Sequence, residues 1–86
     1  MVPLVKRSVA IGALGWIGVA GTLGAYILVS FSALSPTGIL YQAINLISAA
    51  FIALETWTKR DYQPFWLNVI WASIALVALV RIVILL

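Results

Sequence analysis

The sequence predicts an all-α membrane protein, a single domain over residues 1–86 folded as a bundle of three transmembrane helices. Three observations carry this. Hydrophobic residues make up 65% of the chain and charged residues only 8%, which leaves too little polar surface to wrap a soluble core of this size. The apolar residues gather in three stretches, each close to the about 20 residues that a helix needs to cross a roughly 30 Å hydrocarbon core. Only two short polar turns separate them.

The first span is expected at about residues 9–31, a run without a single charge. Lys6-Arg7 ahead of it gives the look of a signal peptide, but the run exceeds an h-region and no small-residue cleavage site follows it. Next comes the turn Ser32-Ala-Leu-Ser-Pro-Thr-Gly38. Ser35 is positioned to cap a second helix, with Pro36 in its first turn where a missing N–H costs nothing. That helix is expected over about 37–58, with Glu55 its one charge. Lys59-Arg60-Asp61-Tyr62-Gln63 makes the second turn, and Pro64 opens a third span over about 64–83.

Charge orients the bundle. Lys6, Arg7, Lys59 and Arg60 fall on one side of three successive crossings, and Arg81 alone falls on the other. The positive-inside rule therefore places the N-terminus in the cytoplasm and the C-terminus outside. Trp57, Tyr62 and Trp66 collect at the four-cation boundary, the headgroup level that amphipathic rings prefer. Arg81 reads as the anchor of the opposite interface, snorkelling to the headgroups, or as a contact to an anionic lipid or a partner carboxylate.

Within the spans, Gly12, Gly15, Gly18, Gly21 and Gly24 recur every third residue. A three-residue step slips by about 60° on an α-helix, so the stripe winds around helix 1. These glycines are expected to let backbones approach closely, as membrane packing requires. Ala72 and Ala75 give helix 3 a comparable face beside Asn68. Helix 2 gathers Tyr41, Gln42, Asn45, Ser48, Ala49, Glu55 and Thr56 within about 140° at 100° per residue. These polar groups need partners in hydrocarbon. With Tyr26, Thr22 and Asn68 they are expected either to bond between helices or to line a polar cavity. Glu55 is expected to pair with Lys59 one turn on; a protonatable role is the alternative.

With histidine and cysteine absent, the usual metal ligands, general base and haem ligand are missing. No nucleophile–base pair or phosphate-cradling loop is present either. Catalysis is not expected, and neither is a cofactor of the chain's own. Cations in pairs beside spans speak to topology, not to nucleic acid.

Several segments carry a family resemblance: Gly15-Trp16-Ile-Gly18, Ala25-Tyr26-Ile-Leu-Val-Ser30, Leu34-Ser-Pro36, Leu40-Tyr41-Gln42-Ala-Ile-Asn45-Leu46 and Pro64-Phe-Trp-Leu-Asn68-Val-Ile-Trp71. Over about residues 12–80 the chain resembles a small, uncharacterised bacterial membrane domain of three helices. That resemblance implies a bacterial cytoplasmic (inner) membrane and brings no activity with it. More distantly, the layout is similar to the SemiSWEETs, half-size sugar transporters of three helices. The Pro64-x-x-x-Asn68 opening matches their pattern, in which the asparagine lines the sugar site. Two features differ. SemiSWEETs carry a Pro-Gln pair late in helix 1, whereas no proline here lies between Pro3 and Pro36. Ile52 and its neighbours stand where those transporters place a sugar-stacking tryptophan.

Two functions follow as expectations. One is an accessory subunit packing against a larger membrane complex, respiratory or photosynthetic for example, with lipid or quinone contact through apolar surface. The other is a homodimeric small-solute transporter with Gln42, Asn45, Asn68 and Trp71 at the site. The topology is tested by itself: a reporter fused after Leu86 is expected to be active outside the cell, and a cytoplasmic reporter would overturn the assignment.

Overall fold

The computed structural model describes the backbone of residues 2–86 and the side chains of residues 9–86. The side chains of Lys6 and Arg7 therefore lie outside the described residues. Three helices run up, down and up: α1 (Val2–Ser30), α2 (Ile39–Thr58) and α3 (Tyr62–Leu85). Each is long and apolar enough to cross a membrane, α1 through its Val9–Ser30 portion. Helices suit hydrocarbon because every backbone group away from the ends is satisfied within its own segment.

The ends show where chain chemistry and expectation part. α1 stops at Ser30 rather than residue 31, and α2 stops at Thr58, both through the same device. Ser32 takes φ 62° and Arg60 takes φ 58°, the left-handed position that closes a Schellman motif. The N–H of Ala33 donates to the Leu28 carbonyl at 2.7 Å and that of Ser32 to Val29 at 3.0 Å. In the second turn Asp61 donates to Thr56 at 2.9 Å and Arg60 to Trp57 at 3.1 Å. Neither site uses glycine, so each turn carries about 1–2 kcal/mol of strain.

Ser35 does not cap α2. Its hydroxyl accepts the N–H of Thr37 at 3.3 Å and its carbonyl accepts that of Gly38 at 3.1 Å. A tight turn thus uses residues 35–38, and α2 begins two residues later than expected, behind Gly38. α3 instead starts earlier, at Tyr62. Pro64 then sits in its first turn, where its missing N–H leaves no bond unmade. The far end of α3 reaches Leu85 rather than residue 83.

The bundle is open. α2 packs along both α1 and α3, whereas no Cα of α1 lies within 8 Å of one in α3 among the described residues. On α2, the residues facing α1 are Ile44, Ser48, Phe51, Ile52 and Glu55. Tyr41, Gln42 and Asn45 face α3. At 100° per residue these two faces sit roughly 80–100° apart, so α1 and α3 flank α2 like the arms of a V.

The α1–α2 seam is set by glycine. A Cβ at Gly18 would fall 2.7 Å from the Ser48 carbonyl oxygen and 2.8 Å from Ile52 Cγ1. One at Gly21 would collide with the Ser48 hydroxyl, and one at Gly15 with the Glu55 carboxylate. Gly12 and Gly24, expected on the same packing surface, meet nothing within 4 Å. The three-residue step explains this: going out from Gly18, the stripe rotates off the seam at both ends. Ala25, at 2% exposure, takes up the contact beyond Gly21. On α3 the equivalent close residue is Ala75, also 2% exposed, with Ala72 half-buried on the same face.

These contacts make the glycines unequal. Gly18→Ala is expected to destabilise the chain by about 1–3 kcal/mol, since the obstacle is backbone and cannot rotate away. Gly24→Ala is expected to be neutral or to stabilise by up to about 1 kcal/mol through helix propensity. Far-UV circular dichroism of reversible unfolding in mixed micelles measures both, and equal losses would sink the assignment of the seam.

Candidate functional site

The polar arc of α2 is divided between its two neighbours. Ser48, 5% exposed, lies against α1 at Gly18 and Gly21. Asn45, also 5% exposed, turns toward α3. Thr56 is buried near the C-terminal end of α2.

How these groups are satisfied is the most informative feature of the interior. The Asn45 amide donates to the Tyr41 carbonyl at 3.0 Å. Thr56 donates to Ile52 at 2.8 Å, and Asn68 to Pro64 at 2.8 Å. Ser73 donates to Val69 at 2.8 Å. Each bond runs back one turn along the donor's own helix. Gln42 reaches the Pro36 carbonyl at 2.9 Å, still within its own end of the chain. No side-chain hydrogen bond joins two helices among the described residues, contrary to the expected interhelical bonding. The reason is geometric: carbonyls one turn back are always within reach of a short polar side chain, and no rearrangement of neighbours is needed to meet them. No buried polar side-chain atom is left without a partner among the described residues.

Three clefts follow the seams. Tyr41, Gln42 and Asn45 of α2 face Trp71, Ile74 and Ala75 of α3 across an open groove of ≈ 250 Å³. A larger groove of ≈ 470 Å³ continues from it along α3 toward Leu85, sharing Gln42 and Ile74 and passing Thr37, Ala78 and Arg81. Between the arms of the V, Thr22 of α1, Ala49 of α2 and Leu67, Asn68 and Trp71 of α3 line a third cleft. Asn68 thus lies beside Ala49 and Thr22, some six residues, or about 9 Å, along α2 from Glu55. The structure brings Gln42, Asn45 and Trp71 to one groove and Asn68 to the next. Tyr26 joins neither. It is 64% exposed on the outer side of α1, because its step from Thr22 and Ala25 carries it off the seam.

The other end of the molecule is built differently. Glu55 Oε2 pairs with Lys59 Nζ at 3.5 Å. Glu55, Lys59, Gly15, Trp16 and Val19 share a shallow cleft. Trp57 packs on Phe65 with centroids 5.0 Å apart and meets Tyr62 edge-on at 6.0 Å; Phe65 in turn packs on Trp66 at 5.1 Å. These rings tie the end of α2 to the start of α3. Trp16 was not recognised from the sequence as part of this belt, although counting down from Gly18, which abuts Ser48 and Ile52, places it level with Glu55. Arg81 stands alone at the opposite end, exposed and without an ion pair among the described residues.

Chemically, the arrangement offers amide and indole groups beside apolar grooves. No three His, Cys, Asp or Glu side chains converge to hold a metal ion among the described residues.

No curated protein and no solved structure matches this chain. Residues 11–85, which take in nearly all of the three spans, match the model of a small, uncharacterised protein family, and the chain belongs to that family.

Proposed function

We propose that this protein is an accessory subunit of a bacterial cytoplasmic membrane, N-terminus inside and C-terminus outside, that packs against a larger membrane complex and carries out no catalysis of its own. One observation carries the reading. Every in-span polar side chain that forms a hydrogen bond does so with a carbonyl of its own stretch of chain, so no polar path between helices is held in place. What remains on offer is surface. A cleft lies between α1 and α3 over the buried Ala49, and further grooves open sideways, where a neighbouring helix, lipid or quinone would meet them. A chain with several open apolar faces suits a part that fills a gap in a larger assembly and shapes lipid or quinone access to it.

A second reading has one specific observation in its favour. Gln42, Asn45 and Trp71 line a single groove, and Asn68 the cleft beside Trp71. Two copies facing each other across α2 and α3 would enclose these groups, which is what a small-solute transporter built from half-size units requires. The likeness to the SemiSWEETs at Pro64 and Asn68 points the same way.

Purification of the tagged chain at native level in mild detergent, with mass spectrometry of co-purifying proteins, separates the two. Stoichiometric recovery of a large membrane complex is expected. Recovery of the chain only as a dimer would overturn the accessory reading. In that event Asn68→Ala should abolish solute uptake into liposomes. For a subunit, the same substitution leaves recovery of the complex unchanged and lowers stability by no more than about 1 kcal/mol.

A further inference from the structure

We infer that the α2–α3 groove beside Arg81 is a binding site for one anionic phospholipid, its phosphate on Arg81 and an acyl chain along α3. The inference goes beyond the accessory role and does not rest on it.

The shape comes first. The groove holds ≈ 470 Å³, and its walls are apolar along Ile74, Ala78, Ile82 and Leu85. From Ile74 to Arg81 is about 10 Å of helix, about two thirds of one leaflet of a roughly 30 Å hydrocarbon core, and Ile82 and Leu85 continue the wall past the guanidinium. Of its polar residues, Gln42 lies at the end shared with the neighbouring groove, and two sit toward the membrane surface. Arg81 and Thr37 line it there, and Thr37 belongs to the turn that precedes α2. An occupant must be apolar over most of a leaflet's depth and polar at its head.

Charge then fixes the head. The chain has two acidic side chains, Glu55 and Asp61, and both lie at the other end of the bundle. Asp61 is twenty residues before Arg81, about 30 Å along α3. Glu55 is taken by Lys59. Nothing acidic among the described side chains compensates the guanidinium, which presents five donors in a plane suited to phosphate oxygens. A zwitterionic headgroup brings its own ammonium to the same place, so the preference is for a net negative one. A snorkelling arginine alone would need only any headgroup. The adjoining apolar groove is what turns a general anchor into a site.

Native mass spectrometry of the full chain, released from micelles containing equal phosphatidylglycerol and phosphatidylcholine, reads the outcome directly. The chain is expected to retain one phosphatidylglycerol with about fivefold preference, the effect of one cation on an anionic headgroup. Arg81→Gln should bring the preference to about one, and Arg81→Lys should keep part of it. Ala78→Phe should fill the groove and lose the lipid with Arg81 intact. Val77→Trp, on the groove's exposed rim, serves the same end should Ala78→Phe lose its helical circular dichroism. Arg60→Gln, at the opposite end, should retain the preference. Equal retention of both lipids by the unaltered chain overturns the site. So does loss of preference in Arg60→Gln to the same extent as in Arg81→Gln, which would mark general surface charge. Undiminished lipid in both groove-filling variants would leave Arg81 a surface contact and overturn the groove. Retention of a partner protein in place of lipid by the unaltered chain, lost in Arg81→Gln, would assign the guanidinium to protein instead.

Discussion

In hydrocarbon, two leucine faces gain nothing by meeting that lipid tails would not give them. The association of α1 with α2 therefore depends on how closely two backbones approach, and the closest approach is that of Gly18 to Ser48. No Cβ fits there, because the Ser48 carbonyl oxygen is 2.7 Å from where it would stand. Much else follows from this one contact. It brings Gly15 onto Glu55 at one end and Gly21 onto the Ser48 hydroxyl at the other, fixing both the register of α1 and the side of α2 that it covers. With that side taken, α3 must occupy an adjacent side, and the turn at Lys59 and Arg60 is too short to carry it to the far one. The open V is the result.

An open V has consequences for polar groups. In a closed bundle, Asn45 and Asn68 would point into a shared interior and could satisfy one another. Here they point into clefts that partners or lipid can enter, so a bond to the nearest carbonyl of the same helix is the arrangement that needs no partner to be present. This makes the chain tolerable in lipid by itself and leaves the second lone pairs and donors of its amides free for whatever docks. An accessory subunit and a half-transporter share that requirement, because both must be inserted before they assemble. The satisfied amides therefore bear on both readings and favour the one that asks for no continuous polar path.

The three spans were legible in the sequence because their signal is length and composition, which no tertiary contact can override. The Glu55–Lys59 pair and the aromatic residues at the turn between α2 and α3 were legible for a similar reason: they are local, one helical turn or one short loop apart. What the sequence withheld was rotation. A glycine every third residue says that a helix has small positions but not which of them face a neighbour, and Gly12 and Gly24 turned out to face open space. Tyr26 went the same way. Helix starts were hidden too, since Ser35 has two ways to use its hydroxyl, capping a helix or closing a turn on Thr37. The nearby Pro36 suits both. Nor could composition distinguish polar side chains bonded across helices from those bonded along one.

The two ends of the molecule then differ in a way that bears on what each is for. The Lys59 end is tied together: Glu55 is paired with Lys59, its rings are packed on one another, and the N–H groups of Lys59, Arg60 and Asp61 all bond back to α2. The Arg81 end is unfinished. Its turn bonds to α1 and, through Gln42, to α2, its cation has no acidic side chain within reach, and a groove of ≈ 470 Å³ runs up to it. An exposed guanidinium beside an open apolar groove is a place that something in the membrane can complete. A negatively charged lipid does so without any second protein, is present wherever the chain inserts, and would brace α3 against α2 along the stretch where side chains alone leave a gap. On that view the lipid is structural in the same sense as Gly18: one closes the seam between α1 and α2 by omitting a side chain, and the other closes the seam between α2 and α3 by supplying one.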